Sequence, residues 1–442
     1  MRRALLVLAL AACGDEIRVD TTLEPQSGTR LKLERYRFED GTEQVEPHSF
    51  YDVEMHARCA PQRYVDGTTR CVPFAEDALY IDAACATAVG RATNAPLAEP
   101  THFVGHDRVG DELLPAVVYS AGQPRDVVTE YYEWHDGTCE GPFPTPAELT
   151  YYTLGTSFNP AVMREASVGG EHVAARMQVT DDGLRLPIEL EDRARGAACR
   201  PEMRADGRVV CAPTTAVTTM LYGDATCATP VVAVDAGATA PAVAARLDPT
   251  GCTTYHAVGA PYTGALYEAR GETCARVASG GLQGYEVGAQ LDLPILERTV
   301  EDDPRRRLQR VTLGDGDFIV LDDRLYDSAM RADCKREVVA HTARCLPETM
   351  APLLWRFQRG CLLDMLVAEV PRVSCAPVVF AARPTEEGSE LHLIGAPVTA
   401  PVFDASTGIC RAYTAPAGHT LNAVGPALGA DAFVRGVRYG ER

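Results

Sequence analysis

Lysine is almost missing from this chain of 442 residues: it occurs only at Lys32 and Lys335. Arginine carries nearly all the positive charge, and 42 basic residues face 61 acidic ones, a formal net charge of −19. Nucleic acid and anionic lipid headgroups repel so acidic a chain, so no nucleic-acid partner is expected. One basic triplet, Arg305-Arg306-Arg307, follows Glu301, Asp302 and Asp303 and reads as a solvated loop. Long apolar runs are missing too. Beyond the N-terminus nothing approaches 18 uninterrupted apolar residues, so no spanning helix is expected there. The motifs that carry familiar chemistry are also absent. There is no GxSxG elbow, no HExxH and no Walker-type loop. No CxxC pair exists, and no Cys/His spacing suits zinc. Serine is sparse, which leaves a Ser/His/Asp triad few candidates. No cofactor, no metal and no catalytic residue is therefore assigned. The two tryptophans, Trp134 and Trp355, read as core or hairpin aromatics rather than ligand platforms.

What is present begins at the N-terminus. Arg2 and Arg3 precede an apolar run, Ala4 to Ala12, that ends in Leu10-Ala11-Ala12-Cys13. The run is far shorter than the roughly 20 residues a bilayer span needs. A positive start, a short apolar core and small residues at its end fit a secretory signal. The last four residues resemble the bacterial lipoprotein box. That resemblance implies a signal peptide over 1–12, cleavage before Cys13, lipid on Cys13 and a membrane partner through that lipid. Residues 13–27, mostly polar, read as a tether. By analogy with enteric lipoproteins, Gly14 in place of Asp suggests the outer membrane over the inner, within the cell envelope.

Cysteine is abundant, with 15 residues. Reserving Cys13 for lipid leaves an even set, and an exported chain enters an oxidising compartment, so seven disulfides are expected. The same cysteines show an internal repeat. Cys59 and Cys71 precede Val72-Pro73 and Cys85; Cys199 and Cys211 precede Ala212-Pro213 and Cys227; Cys334 and Cys345 precede Leu346-Pro347 and Cys361. Leu79-Tyr80-Ile81-Asp82 echoes Leu221-Tyr222-Gly223-Asp224. Glycines at Gly122, Gly259 and Gly395 each lead to the next matched cysteine, Cys139, Cys274 or Cys410. Asp40-Gly41, Asp182-Gly183 and Asp315-Gly316 stand ahead of each set. The reading is three tandem repeats of about 135 residues, at 28–167, 168–303 and 304–442, with short joins near Gly169-Gly170 and Asp302-Asp303-Pro304.

Asp-Gly pairs mark hairpin turns, because glycine supplies φ > 0. Short Tyr- and Thr-rich runs such as Thr129 to Trp134 and Leu149 to Leu154 recur between turn signals, about eight to ten per repeat. One helix is conceivable within Ala343 to Val367, though Pro347 and Pro352 interrupt it. The fold class is all-β. The favoured architecture is a β-propeller-like ring with two four-stranded blades per repeat; the alternative is three consecutive β-sandwich or barrel modules. The four cysteines of the first repeat allow three connectivities. Cys59–Cys71 closes a short loop and leaves Cys85–Cys139. Carried forward, this gives Cys199–Cys211, Cys227–Cys274, Cys334–Cys345 and Cys361–Cys410, with Cys252 and Cys375 left to pair across repeats. The rival scheme joins Cys227–Cys252 and Cys361–Cys375, leaving Cys274 and Cys410.

Candidate chemistry is thin. Asp315, Asp317, Asp322 and Asp323 offer oxygens for calcium, but a solvated hairpin explains them better. His256 and His392 share one repeat position, with Tyr119 in the first copy, and read as locally satisfied strand residues. His102 and His106 flank Gly105 in a loop of the first repeat.

The pattern is similar to uncharacterised cysteine-rich repeat lipoproteins of myxobacteria-like bacteria. The residues that carry the likeness are the box at Cys13, the Tyr-x-x-Gly pieces and the Asp-Gly to Cys-x-Pro segments, such as Asp66-Gly67 with Cys71 and Pro73, and Asp206-Gly207 with Cys211 and Pro213. The third repeat departs from it, with no Asp-Gly between Cys334 and Cys345. The resemblance implies no activity. The expected function is a lipid-anchored envelope protein of binding or structural type, its partner an envelope or extracellular protein or a glycan. The competing class is an exported glycan-directed hydrolase with a carboxylate pair; a third is a small-ligand receptor with a central channel.

Overall fold

The computed structural model describes residues 21–440 apart from 94–101, 126–127, 136–137, 147–148, 205, 219–220, 248–251, 271–272, 279, 340–341, 373–374, 376–377, 386–387, 407 and 417. The expected signal peptide at 1–12, Cys13 and the tether up to residue 20 lie outside the described residues. Among the described residues every regular element is a strand except one 3-10 turn at Ala430–Ala432. Alternation drives this. Leu31–Phe38 buries Leu31, Leu33, Tyr36 and Phe38 and leaves Arg37 exposed. The helix conceived for Ala343 to Val367 is instead the strands Thr342–Pro347, Met350–Gln358 and Leu363–Pro371. Two prolines without amide donors and a left-handed Gly360 (φ 65°) favour strands and a tight turn there.

Fifteen strands pair in a closed cycle, and five come from each of three segments. The first segment gives a lead hairpin, Leu31–Phe38 with Glu43–Asp52, then Ala57–Arg63, Thr69–Pro73 and, much later, the closing strand Val162–Gly169. The second gives Val173–Val179, Arg185–Asp192, Ala197–Met203, Val209–Pro213 and Ile295–Val300. The third gives Leu308–Asp315, Phe318–Asp327, Ala332–Val339, Thr342–Pro347 and Arg435–Gly440. Each closing strand pairs with the next lead hairpin, and the last pairs with the first: Phe38 lies opposite Gly436 and Glu34 opposite Gly440.

Between the fourth ring strand and the closing strand, each segment builds a small barrel. In the first it comprises Glu76–Tyr80, Ala88–Thr93, Leu149–Phe158, Glu112–Arg125 and His102–Val109, and a parallel pairing of the last with the first closes it. The third segment closes five strands in the same order.

The propeller expectation is corrected here. Propeller blades stack face to face, whereas backbone hydrogen bonds run across every segment boundary in this ring. The join near Gly169-Gly170 is no linker: Val162–Gly169 continues straight into a hairpin with Val173–Val179. The modules of the alternative exist as small barrels, but a common sheet binds them. The tether expectation is also too long. Thr21–Leu23 forms a parallel strand on Phe318–Asp327, and Gln26 bridges Arg185.

Seven cysteine pairs lie at disulfide distance. They are Cys59–Cys71, Cys85–Cys139, Cys199–Cys211, Cys227–Cys274, Cys334–Cys345, Cys361–Cys410 and the cross-segment Cys252–Cys375. So many bridges indicate an oxidising, extracytoplasmic compartment.

Hydrophobic cores interlock the segments. The first contains Leu33, Phe50 and Met163 but is completed by Leu184 and Leu186 of the second. The second is completed by Leu313, Phe318 and Val320 of the third, and the third by Tyr36 and Phe38 of the first.

Candidate functional site

Two polar devices hold the lead hairpins in place. The first uses the Asp-Gly turns. Asp182 Oδ2 accepts the amides of Arg30 (2.6 Å) and Leu31 (2.9 Å). Asp315 Oδ2 accepts those of His172 (2.6 Å) and Val173 (2.7 Å), and Asp40 Oδ2 accepts that of Leu308 (2.6 Å). Each turn thus clasps the start of another segment's lead strand. Close approach requires glycine: a Cβ on Gly28 would stand 2.1 Å from the Asp182 carboxylate, and one on Gly170 2.4 Å from the Asp315 carbonyl. Burial alone would raise the Asp182 pKa. The Thr180 hydroxyl and the amides of Leu31 and Arg30 outweigh it and hold the carboxyl below its ordinary value.

The second device is a buried aspartate ending each lead hairpin. Asp52, Asp192 and Asp327 are 0, 0 and 1 % exposed. Each caps its turn by accepting two amides, from Glu54 and Met55, Ala194 and Arg195, or Ala329 and Met330. Arg30 and Arg307 pair with the first and third at 2.8 Å. In the second segment His172 occupies the position of those arginines, and Arg195, where the others carry Met55 and Met330, supplies the cation.

The lead hairpins so fixed surround a cavity of about 380 Å³. Each has a register shift at the same place, before Arg35, Met177 or Thr312. Such bulges bend a hairpin and re-aim its side chains. The residues opposite those three, Val45, Pro187 and Leu321, give the cavity one apolar wall residue from each segment. Glu24 and Pro25, just after Thr21–Leu23, line it as well. Its charged rim includes Arg310, paired with Glu24 (3.4 Å) and Glu301 (3.1 Å). Gln44 donates to the Asp323 carbonyl. Asp322 is committed to the Arg324 guanidinium at 2.5 Å. Protein crowds Asp323, and with Asp322 beside it this raises its carboxyl above the usual range. Lys335 at 3.5 Å pulls it down, and water reaching 69 % of the side chain screens both effects.

The remaining sequence candidates are scattered. His256 Nδ1 and His392 Nδ1 meet the carbonyls of Gly288 (3.2 Å) and Gly425 (2.8 Å) inside their barrels, so these imidazoles are locally engaged. His102 is buried and His106 stands 3.5 Å from Asp77; burial lowers both imidazole pKa values. Asp315 serves the clasp rather than a cation cage. Among the described residues no group of three or more His, Cys, Asp or Glu is placed to hold a metal. The arginine triplet is more than the solvated loop expected. Arg305 pairs with Asp303, but Arg306 lines the cavity and Arg307 reaches buried Asp327. Its proximity to the Asp302-Asp303-Pro304 join was the only signal available for that. Trp355 is an exposed strand residue, 47 % accessible, beneath the Arg383 guanidinium.

These features define a disulfide-braced, all-β protein of an oxidising compartment, with several sheets and small closed barrels. The chain belongs to a family of unknown function, DUF7481, whose model matches residues 6–433. No curated protein and no solved structure matches it.

Proposed function

We propose that this is a lipid-anchored envelope protein, made of three copies of one unit of about 135 residues, that binds a small polar ligand in the cavity between its lead hairpins. The carrying observation is that corresponding residues of all three segments, Val45, Pro187 and Leu321, meet at one cavity of about 380 Å³. That volume falls within the range of small-molecule sites. Anchoring through Cys13 after removal of 1–12 rests on the lipoprotein box, and placement in the outer membrane on Gly14. The likeness to myxobacterial cysteine-rich lipoproteins supports the same reading. Seven residues separate Cys13 from Thr21, and the eight steps between the two reach at most roughly 28 Å, which would keep the cavity near the membrane. Binding is favoured over hydrolysis because, among the described lining residues, Asp322, Glu24 and Glu43 are engaged by Arg324, Arg310 and Arg37 and leave Asp323 no free carboxylate partner.

The test is a thermal-shift and titration series with amino acids, dipeptides and amino-sugar disaccharides, on the native chain and on Val45→Trp, which fills the cavity. The reading expects at least one class to raise the melting temperature of the native chain and to lose that effect in the variant. A shift that survives the tryptophan, or no shift from any class, would overturn it.

A further inference from the structure

A disulfide pins a hairpin to a turn of each barrel. The bridges Cys85–Cys139, Cys227–Cys274 and Cys361–Cys410 have Cα separations of 5.7, 5.7 and 6.0 Å. The turn cysteine is left-handed each time, with φ of 49, 54 and 66°. In the first two knuckles that cysteine is followed by Ala86-Thr87 or Ala228-Thr229, and its partner is preceded by Thr138 or Thr273. The third carries Leu362-Leu363 and Ile409 instead, exposed by 80, 48 and 56 %. The same geometry is built twice from small or polar residues, so the fold does not call for three large aliphatic ones.

We propose that the third knuckle is a membrane tip that places Leu362, Leu363 and Ile409 in the interfacial layer of a lipid bilayer. Together they present roughly 300 Å² of apolar surface, a size that is often functional. That is well under the ~800 Å² per partner of a stable protein complex. A bilayer, by contrast, accepts a small apolar tip flanked by basic groups. Arg359 and Arg411, both exposed, neighbour these residues in the chain and outnumber the one exposed acid beside them, Asp364. The disulfide holds the turn before contact, so little ordering entropy is lost on docking. The inference rests on the envelope location but needs no lipid on Cys13.

The test uses the chain from residue 13 with Cys13→Ser, so that neither an acyl chain nor the apolar run before it contributes, and phosphatidylcholine vesicles with and without phosphatidylglycerol. The parent is expected to co-sediment with vesicles. The triple variant L362A/L363T/I409T, which copies the other knuckles, is expected to bind about tenfold more weakly with an unchanged melting temperature. In a second variant, Leu362→Trp, brominated lipid should quench the new indole. A parent that does not bind, a triple variant that binds equally, or an unquenched indole would overturn the proposal. So would self-association that the triple variant abolishes, which would assign the knuckle to a second copy of the chain. None of these outcomes bears on ligand binding in the cavity or on acylation.

Discussion

Asp182 and Leu31 are 151 residues apart, yet the carboxylate of one accepts the amide of the other at 2.9 Å. This contact ties the second segment's first turn to the start of the first segment's lead strand. Asp315 with Val173 and Asp40 with Leu308 complete a cycle of three such ties. The ring is therefore held by backbone amides that a neighbour must satisfy.

Replacing Asp182 with alanine orphans the amides of Arg30 and Leu31. Unmet amides cost about 1–3 kcal/mol each when buried, so the loss should be roughly 2–4 kcal/mol, read as a lower urea midpoint.

The same site predicts a pH dependence. The Asp182 carboxyl is depressed in the folded chain. Its stabilisation should be complete above the ordinary carboxylate range near pH ~4 and decline as pH falls through the folded value. Urea midpoints of the native chain should therefore fall more steeply below pH ~4 than those of Asp182→Asn. Parallel curves would contradict this.

Buried Asp192 relies on Arg195 where Asp52 and Asp327 rely on Arg30 and Arg307. Arg195→Met should cost roughly 3 kcal/mol by leaving a buried carboxylate without its cation. Adding His172→Arg recreates the arrangement of the other segments and should recover at least half of the loss. Recovery in a double-mutant cycle of urea midpoints is the check.

Cys252–Cys375 joins two segments across 123 residues, the longest of the seven loops. The chain-entropy model assigns such a bridge about 4–5 kcal/mol, less when the denatured state is structured. The Cys252→Ser/Cys375→Ser pair should lower the melting temperature more than Cys334→Ser/Cys345→Ser, whose loop spans 11 residues. Scanning calorimetry of the two variants decides it.

Much of the strand content was legible in the sequence, because turn glycines and cysteines are local signals. Gly41, Gly183 and Gly316 do sit at positive φ in the expected turns. The acidic partners in those turns were legible only as turn formers. Their acceptors' use on amides 140 or more residues away is a property of ring closure, which no local pattern encodes. The run Ala343 to Val367 allowed a helix despite Pro347 and Pro352, because no turn signal as plain as Asp-Gly divides it. In the structure Ala351 and Leu353 are buried, while Trp355 and Leu363 face outward from two strands joined at Gly360. The cavity was out of reach for a related reason. Val45, Pro187 and Leu321 are ordinary strand residues until three bulges bring them together.

The central claim, an exported chain held by lipid on Cys13 and closed by disulfides, is tested most directly by intact-mass and peptide mapping of protein from its native host. The account predicts a polypeptide that starts at an acylated Cys13, with all fourteen other cysteines oxidised in the seven pairs found here. A chain that retains Met1, bears no acyl mass and has free thiols would contradict it.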